Sequence, residues 1–264
     1  MVSAHFLHQK LKVLKPDILY LSGWAQNPES LSNSLSYLSS SYKIINFDYT
    51  RFSVENCFLE LKKLEINPKI IIGWSLGGQI AARLISEKIV SSQLLVLISA
   101  PFQFVKSEQD KDITNLGIAK FGIDKFIAMP KAGFESFRNN FINNSAQTLE
   151  KFSLLMMLVK NNLAKDLARN LYIDEKNYLN LILWLEELGK FSCLDLDYSN
   201  FPRTLIIHGE NDLVVNYSQA KVFASKITNS KLEILKNCSH CPHISNLPEM
   251  QKVIDQEIVQ QYYK

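Results

Sequence analysis

Apolar residues fall along this chain in two alternating patterns: short unbroken runs, and stretches where they recur every three to four residues. These are the periods of buried strands and of the helices that pack on them. Asp17 to Leu21 (DILYL) is the first run; it stops at Ser22-Gly23-Trp24, and beyond an Asn27-Pro28 turn Leu31, Leu35 and Leu38 recur at helical spacing. Lys43 to Asp48 (KIINFD) predicts a second strand, and Val54, Phe58, Leu61 and Leu64 a helix over 54–64. Ile70 to Ile72 is a β-branched run that stops at Gly73, and Ile80, Ala81, Leu84 and Ile85 resume the helical period. Gln93 to Ser99 (QLLVLIS) gives a fourth strand. Strands alternating with helices of this length predict an α/β fold: a mainly parallel central sheet flanked by helices on both faces.

From about Phe104 to Lys190 no strand pattern appears. Phe134, Phe137, Arg138 and Phe141 predict one helix there, Leu149 to Val159 a second, and Leu163 to Leu171 and Tyr178 to Leu188 two more. The strand rhythm resumes after Pro202 with Thr204 to His208 (TLIIH), a helical stretch over 215–227, and Lys231 to Leu235 (KLEIL). A loop over 237–248 and a helix over 249–262 complete the chain. The expected organisation is one core, residues 1–103 and 191–264, interrupted by a helical insertion at 104–190.

Composition narrows the function classes. With 47% hydrophobic and 21% charged residues, the 264-residue chain has the makeup of a globular protein with a sizeable core. A net charge of +3 gives no argument for a nucleic-acid or membrane partner. No stretch is long and apolar enough for a signal peptide or membrane span, so a cytoplasmic protein is expected. Four scattered cysteines do not form a disulfide scaffold; Cys238 and Cys241 make a single C-x-x-C around His240, without the second pair that a zinc site of this kind uses. No metal or cofactor is expected.

The chemistry centres on Gly73-Trp74-Ser75-Leu76-Gly77, which matches G-x-S-x-G between an apolar strand and an amphipathic helix. Such a turn projects the serine hydroxyl above the sheet, and the free N–H groups opening the following helix, beginning at Leu76, point to where an oxyanion would form. A second donor is expected from the loop after the first strand, where Trp24 is the candidate through its main chain. A serine needs an imidazole base and a carboxylate behind it. Ser75, Asp212 and His240 occur in that order, each in a loop after a strand, and strand C-terminal ends share one edge of a parallel sheet. Glu210 is the rival acid, set back at the turn glycine, and His243 is the rival base. His208 falls at a strand end, and His5 and His8 in the N-terminal tail.

GWSLGG at 73–78, SGWAQN at 22–27, HGENDLVV at 208–215 and SHCPHISNLPE at 239–249 together resemble the pimeloyl-acyl-carrier-protein methyl ester esterases of biotin synthesis, which are α/β hydrolases. The resemblance runs from about Asp17 to the end. In that family an A-P-F-I-S run follows the histidine; Cys241-Pro242-His243-Ile244-Ser245 matches it and makes His240 the base. The first-strand motif differs, Ser22-Gly23-Trp24 standing where the family has His-Gly-Trp, which leaves the backbone donor in place. The resemblance implies main-chain oxyanion donors at Trp24 and Leu76, an ester pocket lined by Trp74, and a helical lid on whose apolar side Phe152 and Met156 would line the channel for the acyl chain. It also implies an acyl-carrier protein as partner, docked on basic lid residues near Lys151, Lys165 and Arg169, with Gln147 in place of one family arginine. The enzyme is expected to act as a monomer.

Overall fold

The computed structural model describes residues 17–108, 126–157 and 177–262. Six strands form one sheet in which every neighbouring pair runs parallel: β1 (Asp17–Leu21), β2 (Lys43–Asn46), β3 (Ile70–Trp74), β4 (Leu94–Ile98), β5 (Arg203–Gly209) and β6 (Ser230–Leu235), in the order β2-β1-β3-β4-β5-β6. β3 and β4 are buried along their whole length. That is why Ile70–Ile72 and Leu94–Ile98 are unbroken apolar runs rather than alternating ones. Burial of each such side chain contributes roughly 1.5–3 kcal/mol.

The helices of the core are α1 (Glu29–Ser34), α2 (Val54–Lys63) and α3 (Leu76–Ser86). The segment between β4 and β5 carries α4 (Lys131–Asn143), α5 (Ser145–Met157) and α6 (Tyr178–Lys190), followed by α7 (Ser218–Lys226), α8 (Pro242–Ser245) and α9 (Leu247–Tyr262). Of the boundaries that differ from the sequence reading, three bear on the site. The apolar run of β3 continues through Gly73 to Trp74, because a buried central strand has no polar face to stop it. The helix expected from Val215 begins at Ser218, since the Val214 and Val215 N–H groups are taken by the Asp212 side chain. The 237–248 loop contains the short α8, opened by Pro242 in its first turn. The helix expected over 163–171 lies outside the described residues.

The inserted helices are tied to the core by polar contacts as well as packing. The Trp184 indole of α6 donates to the carbonyls of Tyr49 (3.2 Å) and Phe52 (3.0 Å). Arg83 of α3 pairs with Glu187 of α6 at 2.6 Å and with Glu87 at 2.7 Å, its guanidinium lying over the Phe58 and Phe191 rings.

The chain leaves β1 toward one edge of the sheet and then crosses back to β3, so strand order reverses between β1 and β3. A crevice opens at the carboxyl ends of two strands related in this way. At this one the first turn of α3 presses on the end of β1: a Cβ on Gly77 would stand 2.1 Å from the Leu21 carbonyl oxygen. Gly77→Ala must therefore displace main chain, at a cost of about 1–3 kcal/mol or more. A lower urea midpoint at unchanged m-value checks this.

Candidate active site

Ser75 occupies the crest of the turn between β3 and α3. Its φ of 53° lies in the left-handed region, which costs a non-glycine residue on the order of 1–3 kcal/mol and persists only where neighbours fix it. Here the Ser75 N–H donates to the Ile98 carbonyl of β4 (2.8 Å), while the Ser75 carbonyl accepts from the Gly78 N–H (2.9 Å). The turn thereby presents the hydroxyl to the loop after β6. Ser75 Oγ lies 3.0 Å from His240 Nε2, and His240 Nδ1 lies 2.7 Å from Asp212 Oδ2.

Asp212 is brought to His240 by a tight junction between two loops. A Cβ on Gly209 would stand 2.1 Å from the Ser239 carbonyl oxygen, so only glycine admits the approach. The Glu210 and Asn211 N–H groups then donate across to the carbonyls of Leu235 and Cys238, each at 2.9 Å. Asp212 Oδ1 accepts from the N–H groups of Val214 (2.8 Å) and Val215 (2.9 Å). Burial pushes the Asp212 carboxyl up, but the charge of His240 and the hydrogen bonds and charge supplied by His208 and His240 outweigh it and hold the group well below the usual carboxylate range. Glu210, the rival acid, is exposed.

The main chain of His240 is held from both sides. Its N–H donates to the Met156 carbonyl of α5 (3.2 Å), and its carbonyl accepts from the Trp74 indole (2.9 Å). Across the crevice, a Cβ on Gly23 would lie 3.4 Å from the Ser75 Cβ. Gly23 of the β1 loop thus faces Ser75 across the crevice, with Trp24 the next residue of that loop and Leu76 the first residue of α3. The Trp24 indole donates to the Leu181 carbonyl of α6 (2.9 Å), and its ring meets Phe137, Phe141 and Phe152 edge-on at 4.9–6.0 Å.

Ser75 and His240 open into a narrow cavity of about 40 Å3. Trp24, Trp74, Phe152 and Met156 line it, as do Phe104, Met129 and Leu185, and among the described residues Ser75 and His240 are its polar members. A second groove of about 260 Å3 shares Phe137, Phe152 and Leu155 with this cavity and runs outward past Asn140, Gln147 and the exposed Lys151. Lys165 and Arg169 lie outside the described residues. A hydroxyl bonded to an imidazole, itself bonded to a buried carboxylate, can give up its proton and attack a carbonyl carbon bound in the cavity.

The family model described as the alpha/beta hydrolase fold matches residues 21–247. The chain belongs to that family. Among curated relatives of this hydrolase, the pimeloyl-[acyl-carrier protein] methyl ester esterase of Nitrosospira multiformis is 23% identical over 87% of this chain and 89% of its own length, and further bacterial relatives carry the same name. Human monoacylglycerol lipase ABHD6 is 25% identical over 86% of this chain and 70% of its own length. Among solved structures, an esterase from Exiguobacterium antarcticum superposes with a TM-score of 0.76 at 16% identity, covering 93% of this chain and 92% of that one.

Two features of this hydrolase site were not foreseen in the sequence: the bond from His240 to the α5 main chain, and the contact of His208 with Asp212. The first has no side-chain signature. The second follows from the turn after Gly209 folding Asp212 back beside the end of β5, which the strand pattern does not encode. The cysteines flanking His240 are free and buried, and burial pushes the Cys238 thiol up to about 11, which keeps it protonated. No three His, Cys, Asp or Glu side chains group as a metal site among the described residues.

His243 is buried in α8 with its ring 4.2 Å from that of Trp74 and, among the described residues, no partner for either ring nitrogen. Burial first, and then the charge of His240, lowers it to about 3. Between that value and about 6.5 the unfolded chain binds a proton that the folded one does not, so stability is lost as the pH is lowered, at up to ~1.4 kcal/mol per unit. His243→Phe removes this term and an unpaired buried donor; urea unfolding at stepped pH should show a higher midpoint and a shallower acid dependence than wild type.

Proposed function

We propose that the chain is a serine carboxylesterase working through an acyl-enzyme, with Ser75 as nucleophile, His240 as base and Asp212 as the acid behind it. The observation that carries this reading is the continuous hydrogen-bonded line from Asp212 through His240 to Ser75 at the mouth of an apolar cavity. Ser75 Oγ attacks the ester carbonyl as its proton passes to His240 Nε2. The carbonyl electrons move onto oxygen, met by the N–H groups of Trp24 and Leu76. Collapse expels the alkoxide, which takes the proton from His240 and leaves as an alcohol. Water, deprotonated by the same nitrogen, then releases the acyl group as a carboxylate.

The substrate we infer is the methyl ester of pimeloyl-acyl-carrier protein, the products being methanol and pimeloyl-acyl-carrier protein. The names of the bacterial relatives support this. Residues 104–190 would form the lid, with Trp74, Phe152 and Met156 against the substrate. The outer groove would lead the carrier's tether past Lys151, and Lys165 and Arg169 would add positive charge for an acidic carrier.

Ser75→Ala should lower kcat on the order of 10^5–10^6-fold and abolish labelling by a fluorophosphonate. His240→Gln should cost nearly as much, and His243→Gln and Glu210→Gln far less. A Ser75→Ala rate close to wild type would refute the mechanism.

Charge reversal at Lys151, Lys165 and Arg169 should raise KM for the carrier-bound ester and leave hydrolysis of a short soluble ester unchanged. If both activities fall together, or neither does, the chain is an esterase of small free substrates instead. Growth of a biotin-requiring strain lacking its own esterase, when supplied with this chain, tests the substrate directly.

A further inference from the structure

His208 is the last side chain of β5 before its terminal glycine, paired in register with Ile234 of β6 and fully buried. Its Nε2 stands 2.8 Å from the Val215 carbonyl oxygen and 3.1 Å from Asp212 Oδ2. Both neighbours are acceptors, so Nε2 carries the proton; its hydrogen bond goes to the Val215 carbonyl, and the same N–H stands at ion-pair distance from Asp212 Oδ2. Nδ1 is buried and meets no partner among the described residues. Asp212 thus receives two main-chain N–H groups on Oδ1 and the His240 imidazole on Oδ2, with the His208 N–H 3.1 Å from the same Oδ2.

We propose that His208 is a positioning residue that shares Oδ2 with His240 and so limits the pull of Asp212 on the imidazolium formed during catalysis. The inference rests on the reading of Ser75, His240 and Asp212 as the hydrolytic residues. The His208 N–H dipole beside Oδ2 draws off part of the charge that His240 would otherwise face, and its bond to the Val215 carbonyl closes the 212–215 turn that aims the carboxylate. The other ionisable groups around the pair are His243 on α8 and the Cys238 and Cys241 thiols of the histidine loop, each electrostatically coupled to His240 or Asp212. None of them hydrogen-bonds Asp212.

The test compares His208→Phe, which removes the donor, with His208→Gln, whose amide N–H2 can stand where Nε2 stands. With Oδ2 freed, the acidic limb of kcat/KM against pH should move to higher pH by about half a unit or more in His208→Phe, because Asp212 then holds the imidazolium more tightly. His208→Gln should keep the wild-type limb. An unmoved limb in His208→Phe, or a limb moved to lower pH, would overturn the proposal, as would equal displacement in both variants.

Should His208→Phe not fold, nitrogen-15 NMR of histidine-labelled wild type at neutral pH decides. The proposal requires the Nε2–H tautomer at His208, and an Nδ1–H tautomer there refutes it. That spectrum does not depend on turnover. Failure of fluorophosphonate to label Ser75 would instead remove the hydrolytic reading while leaving the His208 geometry standing.

Discussion

Everything at the site depends on two stretches of main chain touching where side chains would keep them apart. α3 begins against the end of β1, and Gly77 is the residue that permits the contact. Were the helix to start even a side chain's width away, the loop carrying Trp24 and the turn carrying Ser75 would sit on opposite walls of a wider crevice. The reversal of strand order between β1 and β3 creates the opening, and the glycine contact sets its width. A parallel sheet delivers strand ends to one edge but does not fix how close their loops come. Here a second contact of the same kind, Gly209 on the Ser239 carbonyl, repeats the device on the far side and brings the acid to the histidine.

The polar atoms at the site are anchored redundantly. Ser75 is held by a strand on one side and a helix on the other, and Asp212 by two main-chain donors and the His240 imidazole, with His208 beside it. This redundancy offsets two local costs, a left-handed serine and a buried carboxylate. It also leaves little freedom for the site to reorganise, which suits a reaction whose charge develops at fixed positions.

Much of this was legible in the sequence because the signals were physical. Ile70–Ile72 could fill only a strand covered on both faces, and the change of period after Gly78 could only be a helix. Together they placed Ser75 on a corner before any geometry was available. The order Ser75, Asp212, His240 followed from where apolar runs ended, and the structure brings those three side chains together. The start of α7 was misread because Val214 and Val215 look like the opening of an apolar helix face, whereas their N–H groups serve Asp212; side-chain capture of main chain leaves no mark on hydropathy. The same blindness hid the hydrogen bond between His240 and Met156, since one main-chain atom bonding another says nothing about residue type.

That bond gives the helical segment a standing beyond that of a cover. α5 grips the histidine by its N–H, α6 receives the Trp24 indole, and the aromatic side chains of α4 and α5 clasp the Trp24 ring. A part attached at both ends of the machinery cannot swing off as a door without taking the machinery apart. The inserted helices and the sheet are therefore coupled through the histidine, and any redesign of the surface for a new substrate inherits the alignment of the histidine as a design constraint.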